Sequence, residues 1–332
     1  MRRPTGGAPD AALDFAPQAM TINANLPINF IIGNHTPCVV TEDAFEYVMH
    51  GVRGIGASIN YSIDDYRSDG INILMEGFPV KTADSFASLR KKYPQSRLYL
   101  IATEILTPNG FNSANTLHRA DGDHYSDSVY WGGRTQGFRA LAPQLDGLIF
   151  LAESLLEGYQ SLNLRSHYLP LLALPGYQEI QRLPEAQRDI DVFFSGTVTD
   201  YRAGVIELLK QEGFQVFQQS TQFPEYVRRH FLARSKLAIG LKLAKSTQFT
   251  SKQRAHYYLI NRIPHVFETT PDHTDLHQFI QFAEPGDAFL ERCFELLNGV
   301  QTFPDHVFDD YRRCAQFNPD TVFRDFVRFL SA

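Results

Sequence analysis

The chain has 332 residues, which is enough for two domains of roughly 150 residues each. Hydrophobic residues make up 43% of it and charged residues 20%, so the chain can bury a core and is not disordered as a whole. It has 31 Lys and Arg against 37 Asp and Glu, a formal net charge of −6, which argues against a general binder of nucleic acid or anionic membranes. An anionic ligand therefore needs a local cluster of positive charge.

The sequence predicts a cytoplasmic protein. Arg2 and Arg3 are not followed by the apolar stretch of about 7 to 15 residues that a secretory signal requires. No apolar run approaches the roughly 20 residues of a membrane span, so we expect no transmembrane segment. Cys38, Cys293 and Cys314 are odd in number and far apart, which fits reduced thiols.

The first part of the chain predicts a flexible arm and then a Rossmann-like domain. Residues 1–25 are rich in Pro, Ala and Gly without periodicity, which is typical of an arm. Over residues 26–172, short apolar runs alternate with amphipathic stretches, which indicates βα units around a mostly parallel sheet. Strands are expected at 29–33, 71–78, 97–104, 145–154 and 166–172, and helices that begin at Thr41 and Thr82.

A second array of the same kind follows an interdomain connection at 173–188, which contains two prolines. Residues 189–312 predict a second Rossmann-like domain, and residues 313–332 a C-terminal helix that can pack back on the first domain. Strands are expected at 189–196, 214–217, 237–243 and 263–268, and helices at 200–212, after Pro224 and at 251–262. The fold class is therefore α/β, with two Rossmann-like domains that face each other across a cleft.

The polar stretch 107–134 is longer than an ordinary connection and is the first place to look for a substrate. It contains Asp121 and Asp123 around a glycine, the letters of a metal-binding DxD motif. No apolar strand precedes this pair, so a solvated loop is the favoured interpretation. We therefore expect no metal site. The alternative is a metal site formed by Asp121 and Asp123.

The second array carries the sharper chemistry. Its first strand ends in Ser195, Gly196 and Thr197, and a helix that carries Arg202 starts a few residues later. Backbone N–H groups at a helix N-terminus, approached over small residues, suit a phosphate. The alternative is a tight connection with no ligand.

Three cations converge on the same edge of this predicted sheet. Lys242 ends a strand, while Lys252 and Arg254 open the helix that begins near Ser251. Arg can bind two phosphate oxygens at once and Lys acts as a point charge, so the set suits a diphosphate. The alternative for Lys252 is a solvated surface position.

Spacings of 3, 4 and 7 place Arg254, Tyr257 and Asn261 on one face of the predicted helix, and Glu268 ends the next strand. This set can hold a nucleoside diphosphate, with Glu268 accepting hydrogen bonds from ribose hydroxyls. The alternative is an ordinary amphipathic helix.

These segments resemble a known group of enzymes. DIDVFFSGTVTDYR (189–202), LAIGLKL (237–243) and SKQRAHYYLINRIPHVFE (251–268) are similar to the donor-binding domain of GT-B glycosyltransferases, in particular the CgeB-like glycosyltransferase-like family. The resemblance covers roughly residues 189–300. It implies a nucleotide-diphosphate sugar as co-substrate and no other cofactor. The chain departs from the family at Tyr257 and Arg262, where an acidic residue and a glycine are usual.

An inverting enzyme of this type needs a base that takes a proton from the acceptor hydroxyl. His35, directly after the first strand, and Glu104, at the end of the 97–104 strand, are the candidate catalytic residues. Alternatively, His35 only bonds a turn and Glu104 only pairs with an arginine. A retaining mechanism would ask less of a base, and the sequence leaves the stereochemistry open.

The sequence thus favours a metal-independent glycosyltransferase that moves a sugar from a nucleotide-diphosphate donor to an acceptor hydroxyl. Two alternatives stay open: a non-catalytic GT-B-like binding or assembly protein, and a metal-dependent transferase that uses Asp121 and Asp123. The donor nucleotide, its sugar, the acceptor and the oligomeric state are not determined by the sequence.

Overall fold

A computed structural model of the chain describes residues 27–31, 38–52, 58–60, 65–75, 80–112, 128–174, 176–177, 179–219, 225–245, 247–272, 275–314 and 318–332. The predicted arm at 1–25 lies outside these ranges. No helix in the described part of the chain is both long enough and apolar enough to cross a bilayer.

The first domain is built on a sheet of six parallel strands. Its elements in chain order are β1 (Ile28–Ile31), α1 (Cys38–Gly51), β2 (Ser58–Asn60), β3 (Ile71–Met75), α2 (Val80–Lys92), β4 (Arg97–Ala102), the hairpin strands β5 (Leu106–Thr107) and β6 (Gly110–Phe111), α3 (Ser128–Leu141), β7 (Gly147–Phe150), α4 (Leu156–Tyr159) and β8 (Ser166–Tyr168). The strand order across the sheet is β2-β1-β3-β4-β7-β8. The central strands are buried on both faces, and their sequences are therefore continuous apolar runs.

The second domain is built on a sheet of five parallel strands in the order β10-β9-β11-β12-β13. Its elements are β9 (Ile190–Ser195), α5 (Asp200–Gln211), β10 (Val216–Gln219), α6 (Glu225–Ala233), β11 (Ser235–Gly240), α7 (Lys252–Ile260), β12 (His265–Glu268), β13 (Phe282–Ala283), α8 (Asp287–Leu297) and α9 (His306–Arg313). A last helix, α10 (Pro319–Ser331), follows this domain. In both sheets the first strand lies between the second and the third. This doubly wound order leaves a crevice between the first and third strands, where such sheets bind ligands.

The chain passes between the two domains twice. After the second domain, α10 packs on the first sheet, where the hydroxyl of Tyr99 donates to the carbonyls of Phe329 (3.2 Å) and Leu330 (3.0 Å). A Cβ atom at Gly51 would lie 1.8 Å from the ring of Phe323, so α1 and α10 touch closely. Phe323 belongs to the same buried cluster as Tyr99 and the strands of the first sheet.

The prediction of an α/β fold with two Rossmann-like domains across a cleft is confirmed. The strands β2, β5, β6 and β13 and the helices α3 and α4 were not predicted. Helices α1 and α2 begin at Cys38 and Val80, before the expected caps at Thr41 and Thr82. In the sequence, a proline stands directly before each of these two starts.

Candidate functional site

A cavity of about 390 Å³ lies between the carboxyl ends of the two sheets. One wall belongs to the first domain and consists of residues that follow β4 and β7 together with one residue of α3: Thr103, Glu104, Ile105, Asn112, Ala152, Ser154, Leu155 and Trp131. The other wall belongs to the second domain and consists of residues that follow β9 and β11 and open α7: Gly196, Thr197, Arg202, Leu241, Lys242, Leu243, Thr247, Phe249, Thr250, Ser251, Lys252, Gln253 and Arg254. The cavity is therefore at the crevice of the second sheet, between its first and third strands.

Gly196 shapes this crevice, and both its backbone conformation and the arginine side chains beside it favour a glycine there. Its φ of +137° is a conformation that side chains disfavour. In addition, a Cβ atom would lie 2.7 Å from Nη2 of Arg254 and 3.4 Å from Nη1 of Arg202. Because no side chain is present, the guanidinium group of Arg254 can lie directly against the end of β9.

Arg254 is a half-buried positive charge in the cavity wall. Its guanidinium lies 5.6 Å from the centre of the Phe194 ring, and it makes no hydrogen bond or ion pair with any residue that the structure describes. Burial lowers the pKa of Arg254, and the nearby charge of Arg228 lowers it further. A desolvated cation of this kind gains from an anion brought to it.

Lys242 is the second such cation. Its backbone is held firmly, since its N–H donates to Oε2 of Glu268 (2.6 Å) and its carbonyl accepts from Nε of Arg202 (2.9 Å). Lys242 lines the cavity, and its ammonium group forms no hydrogen bond or ion pair with a described residue, although its charge acts on the carboxylate of Glu268. Lys242 and Arg254 therefore place two positive charges at one cavity, and neither side chain forms a hydrogen bond or ion pair with a described residue.

Arg202 also lines the cavity, but its guanidinium is directed to the backbone. It donates to the carbonyls of Thr197 (2.7 Å), Leu241 (2.8 Å) and Lys242 (2.9 Å). These bonds tie the loop after β9 to the loop after β11. Arg202, which was predicted to bind the donor, thus stabilises the backbone of the crevice that Lys242 and Arg254 line.

The alternative that Lys252 is a solvated surface residue is wrong. Its side chain is only 2% exposed and its Nζ lies 2.7 Å from Oδ1 of Asp275. It also donates to the hydroxyl of Tyr168, on the first domain (3.1 Å). The positive charge of Lys252 is neutralised inside the protein.

Tyr257, Asn261 and Glu268 do not line the cavity, nor does Ser195, while Ser251 is exposed and does. The side-chain oxygen of Asn261 accepts from the N–H of Ile180 (2.6 Å) and so fastens the interdomain connection to α7. The ring of Tyr257 is buried under the guanidinium of Arg228, 4.3 Å away. The predicted helical face exists, but it packs inward because α7 is buried on nearly every side.

Glu268 is 2% exposed and is held by two donors. Its oxygens accept from the hydroxyl of Tyr201 and from the backbone N–H of Lys242. Burial raises the pKa of Glu268, and these hydrogen bonds oppose the rise. The residue predicted to bind ribose instead supports the backbone of Lys242.

Glu104, on the first-domain wall, pairs with an arginine, which is the alternative that the sequence left open. Oε1 of Glu104 accepts from Arg134 (2.9 Å) and Oε2 from Asn112 (2.5 Å). The side chain is 23% exposed and faces the cavity. Arg134 also lies over the ring of Trp131, 4.8 Å from its centre. The other candidate base, His35, lies outside the described residues.

The sequence reasoning missed Asn112, Trp131 and Arg134 as site residues, although it singled out the stretch that carries them. Trp131 is the one tryptophan of the chain. Buried Trp131, Thr135 and Phe138 follow spacings of 4 and 3, a helical signal that was present in the sequence. Of the DxD pair, Asp121 and Asp123 lie outside the described residues. Within the described ranges, no group of three or more His, Cys, Asp or Glu side chains is placed to hold a metal ion.

No protein-family profile matches the chain, and no curated protein matches it significantly. Similar solved structures include a Listeria monocytogenes protein assigned as a UDP-N-acetylglucosamine 2-epimerase, at 8% identity over 91% of this chain and 95% of that one, with a TM-score of 0.49. The N-terminal domain of Candida albicans trehalose-6-phosphate phosphatase has 11% identity over 80% and 71% of the two chains, with a TM-score of 0.45. The glycotransferase of kitacinnamycin has 8% identity over 92% and 99%, with a TM-score of 0.42. At these values the likenesses assign neither a family nor an activity.

Proposed function

We propose that this protein is a metal-independent glycosyltransferase of GT-B type, which moves a sugar from a nucleoside-diphosphate sugar to an acceptor hydroxyl. The observation that carries the proposal is the pair of cations, Lys242 and Arg254, that line one interdomain cavity and whose side chains form no hydrogen bond or ion pair with a described residue.

The charge of this wall fits a diphosphate. The donors of Arg202 are engaged by backbone carbonyls and the charge of Lys252 is paired with Asp275, whereas the side chains of Lys242 and Arg254 form no hydrogen bond or ion pair with a described residue. The N-terminus of α7 adds partial positive charge and free backbone N–H groups next to them. As the glycosidic bond to the diphosphate breaks, negative charge grows on the leaving oxygen, and the same groups stabilise it.

The acceptor side offers two candidates for the base. In the proposed reaction the base takes the proton of the acceptor hydroxyl, the oxygen attacks the anomeric carbon, and the sugar leaves its diphosphate. Glu104 lines the wall opposite Arg254, with both of its oxygens already accepting one hydrogen bond. His35 follows β1 in the sequence and is the second candidate.

Calorimetry with UDP, GDP, dTDP and CMP tests the donor side. We expect one of the nucleoside diphosphates to bind, and CMP, which has a single phosphate, to bind more weakly. Arg254→Ala and Lys242→Ala should each weaken binding by roughly tenfold or more, since each removes a charge-assisted contact. Lys236→Ala is the matched control, because Lys236 pairs with Asp191 and does not line the cavity. Absence of binding by all three diphosphates at millimolar concentration would overturn the proposal.

A second candidate function is that of a GT-B-like binding module without catalysis. The engagement of both Glu104 oxygens by Asn112 and Arg134 favours it, since a braced carboxylate is less available as a base. Hydrolysis of a sugar nucleotide by the purified protein, lost in Arg254→Ala, would exclude the module. Tight binding with no hydrolysis and no transfer would exclude the enzyme.

A further inference from the structure

Lys252, Asp275 and Tyr168 form a network that joins the two domains at the edge of the cavity. Nζ of Lys252 lies 2.7 Å from Oδ1 of Asp275 and 3.1 Å from the hydroxyl oxygen of Tyr168. The hydroxyl of Tyr168 donates to the other carboxylate oxygen of Asp275. Lys252 and Asp275 belong to the second domain, whereas Tyr168 ends β8 at the edge of the first sheet.

Burial makes this network a fixed joint. The side chains of Lys252 and Asp275 are 2% and 15% exposed, and the ammonium also lies 5.0 Å from the centre of the Tyr168 ring. Burial and the carboxylate of Asp275 raise the pKa of Tyr168, so its hydroxyl remains a donor. A buried ion pair holds its geometry strongly, because separation of the partners leaves each charge uncompensated.

The joint acts on the turn that carries Arg254. Lys252 opens α7, and Arg254 follows two residues later. Just before the helix, the N–H of Thr250 donates to both carboxylate oxygens of Asp272 (3.0 and 3.1 Å). The start of α7 is thus held from within its own domain by Asp272 and from the first domain by Tyr168.

We propose that Tyr168 and Lys252 are positioning residues: they fix the first turn of α7, and with it the guanidinium of Arg254, relative to the first-domain wall. This inference rests on the proposed function, in which Arg254 binds the donor diphosphate. Tyr168 belongs to the acceptor-side domain, yet in this inference it affects donor binding, and it does so entirely through α7.

Tyr168→Phe tests the inference, because it keeps the ring and removes only the hydroxyl. We expect the affinity for the nucleoside diphosphate to fall about three- to tenfold, the size of one lost hydrogen bond. In an Arg254→Ala background the same change should have no further effect, since the loss acts through Arg254. Tyr99→Phe is the matched control, because it also removes a hydroxyl of the first sheet, one that bonds α10 and not α7.

Hydrogen exchange gives a readout that needs no ligand. The N–H of Ala255, in the first turn of α7, donates to the carbonyl of Ser251 (3.1 Å). Its exchange should be about threefold faster or more in Tyr168→Phe and unchanged in Tyr99→Phe. Unchanged exchange in Tyr168→Phe, or affinity losses that add in the double variant, would overturn the inference. If no nucleoside diphosphate binds the wild type, the proposed function fails, and the exchange rate of Ala255 still decides whether Tyr168 holds α7.

Discussion

His265 makes the stability of the second domain depend on pH. It lies in β12 with no exposed surface, and its ring is 5.0 Å from that of Phe303 and 6.1 Å from that of Tyr258. Burial lowers the pKa of His265 from 6.5 to about 4, against the opposing hydrogen bond with the carbonyl of Ile263 (2.8 Å). Between these two pH values the unfolded chain binds a proton that the folded protein does not, so the free energy of unfolding falls as the pH falls.

The expected loss follows from the two pKa values of His265. The full gap between 6.5 and about 4 corresponds to about 3 kcal/mol, of which about 2 kcal/mol is already lost at pH 5. His265→Phe removes the titrating group and retains an aromatic ring among aromatic neighbours. At pH 7.5 the variant should be about 1 kcal/mol less stable than the wild type, because it lacks the bond to Ile263. At pH 5 the order should reverse.

Urea unfolding followed by far-ultraviolet circular dichroism at pH 7.5 and pH 5 measures this difference. His306→Gln is the control, since His306 is exposed at the start of α9 and its replacement should leave the pH dependence in place. The same gap between wild type and His265→Phe at both pH values would refute the reasoning.

Three further outcomes are expected. Gly240→Ala should destabilise the protein by about 1–3 kcal/mol, because the new Cβ atom would lie 2.1 Å from the Phe267 ring. Gly204→Ala is the control: Gly204 lies on open surface, so this change should not lower the thermal midpoint. Asn261→Ala should lower the free energy of unfolding in urea by about 1–3 kcal/mol, because the N–H of Ile180 loses its acceptor. The affinity for nucleoside diphosphates, measured by calorimetry, should not change. Sugar transfer or hydrolysis should persist in EDTA; loss in EDTA with recovery on added Mn²⁺ would point to Asp121 and Asp123.

The strands were predictable because burial on both faces demands continuous apolar runs, as in β3, β4 and β9. Helix α3 was not predicted, because Gly132 and Gly133 and its polar residues hide the apolar face of Trp131 and Phe138. The short strands β2 and β13 have too few residues to show a period.

The place of the candidate site and the types of residue in it could be predicted from the sequence. The hydrogen-bond and ion-pair partners of those residues could not. The carboxyl ends of parallel strands meet at one edge, which brought Gly196, Lys242 and Arg254 together as expected. Both partners of Lys252 and two of the three acceptors of Arg202 come from distant parts of the chain, so no local pattern distinguishes a braced cation from an available one. Asn261 shares the predicted face, yet helical spacing does not tell which side of a buried helix faces the cavity.

The return of α10 to the first sheet sets an order of events during synthesis. Residues that complete the first core, among them Phe323, Phe326 and Leu330, leave the ribosome only after the whole second domain. The second sheet draws its strands from one continuous stretch, between Ile190 and Ala283, and can form before them. Domains usually fold in the order in which they are made. We therefore expect the domain that is made first to be completed last, when α10 covers the face of α1 that contacts Phe323.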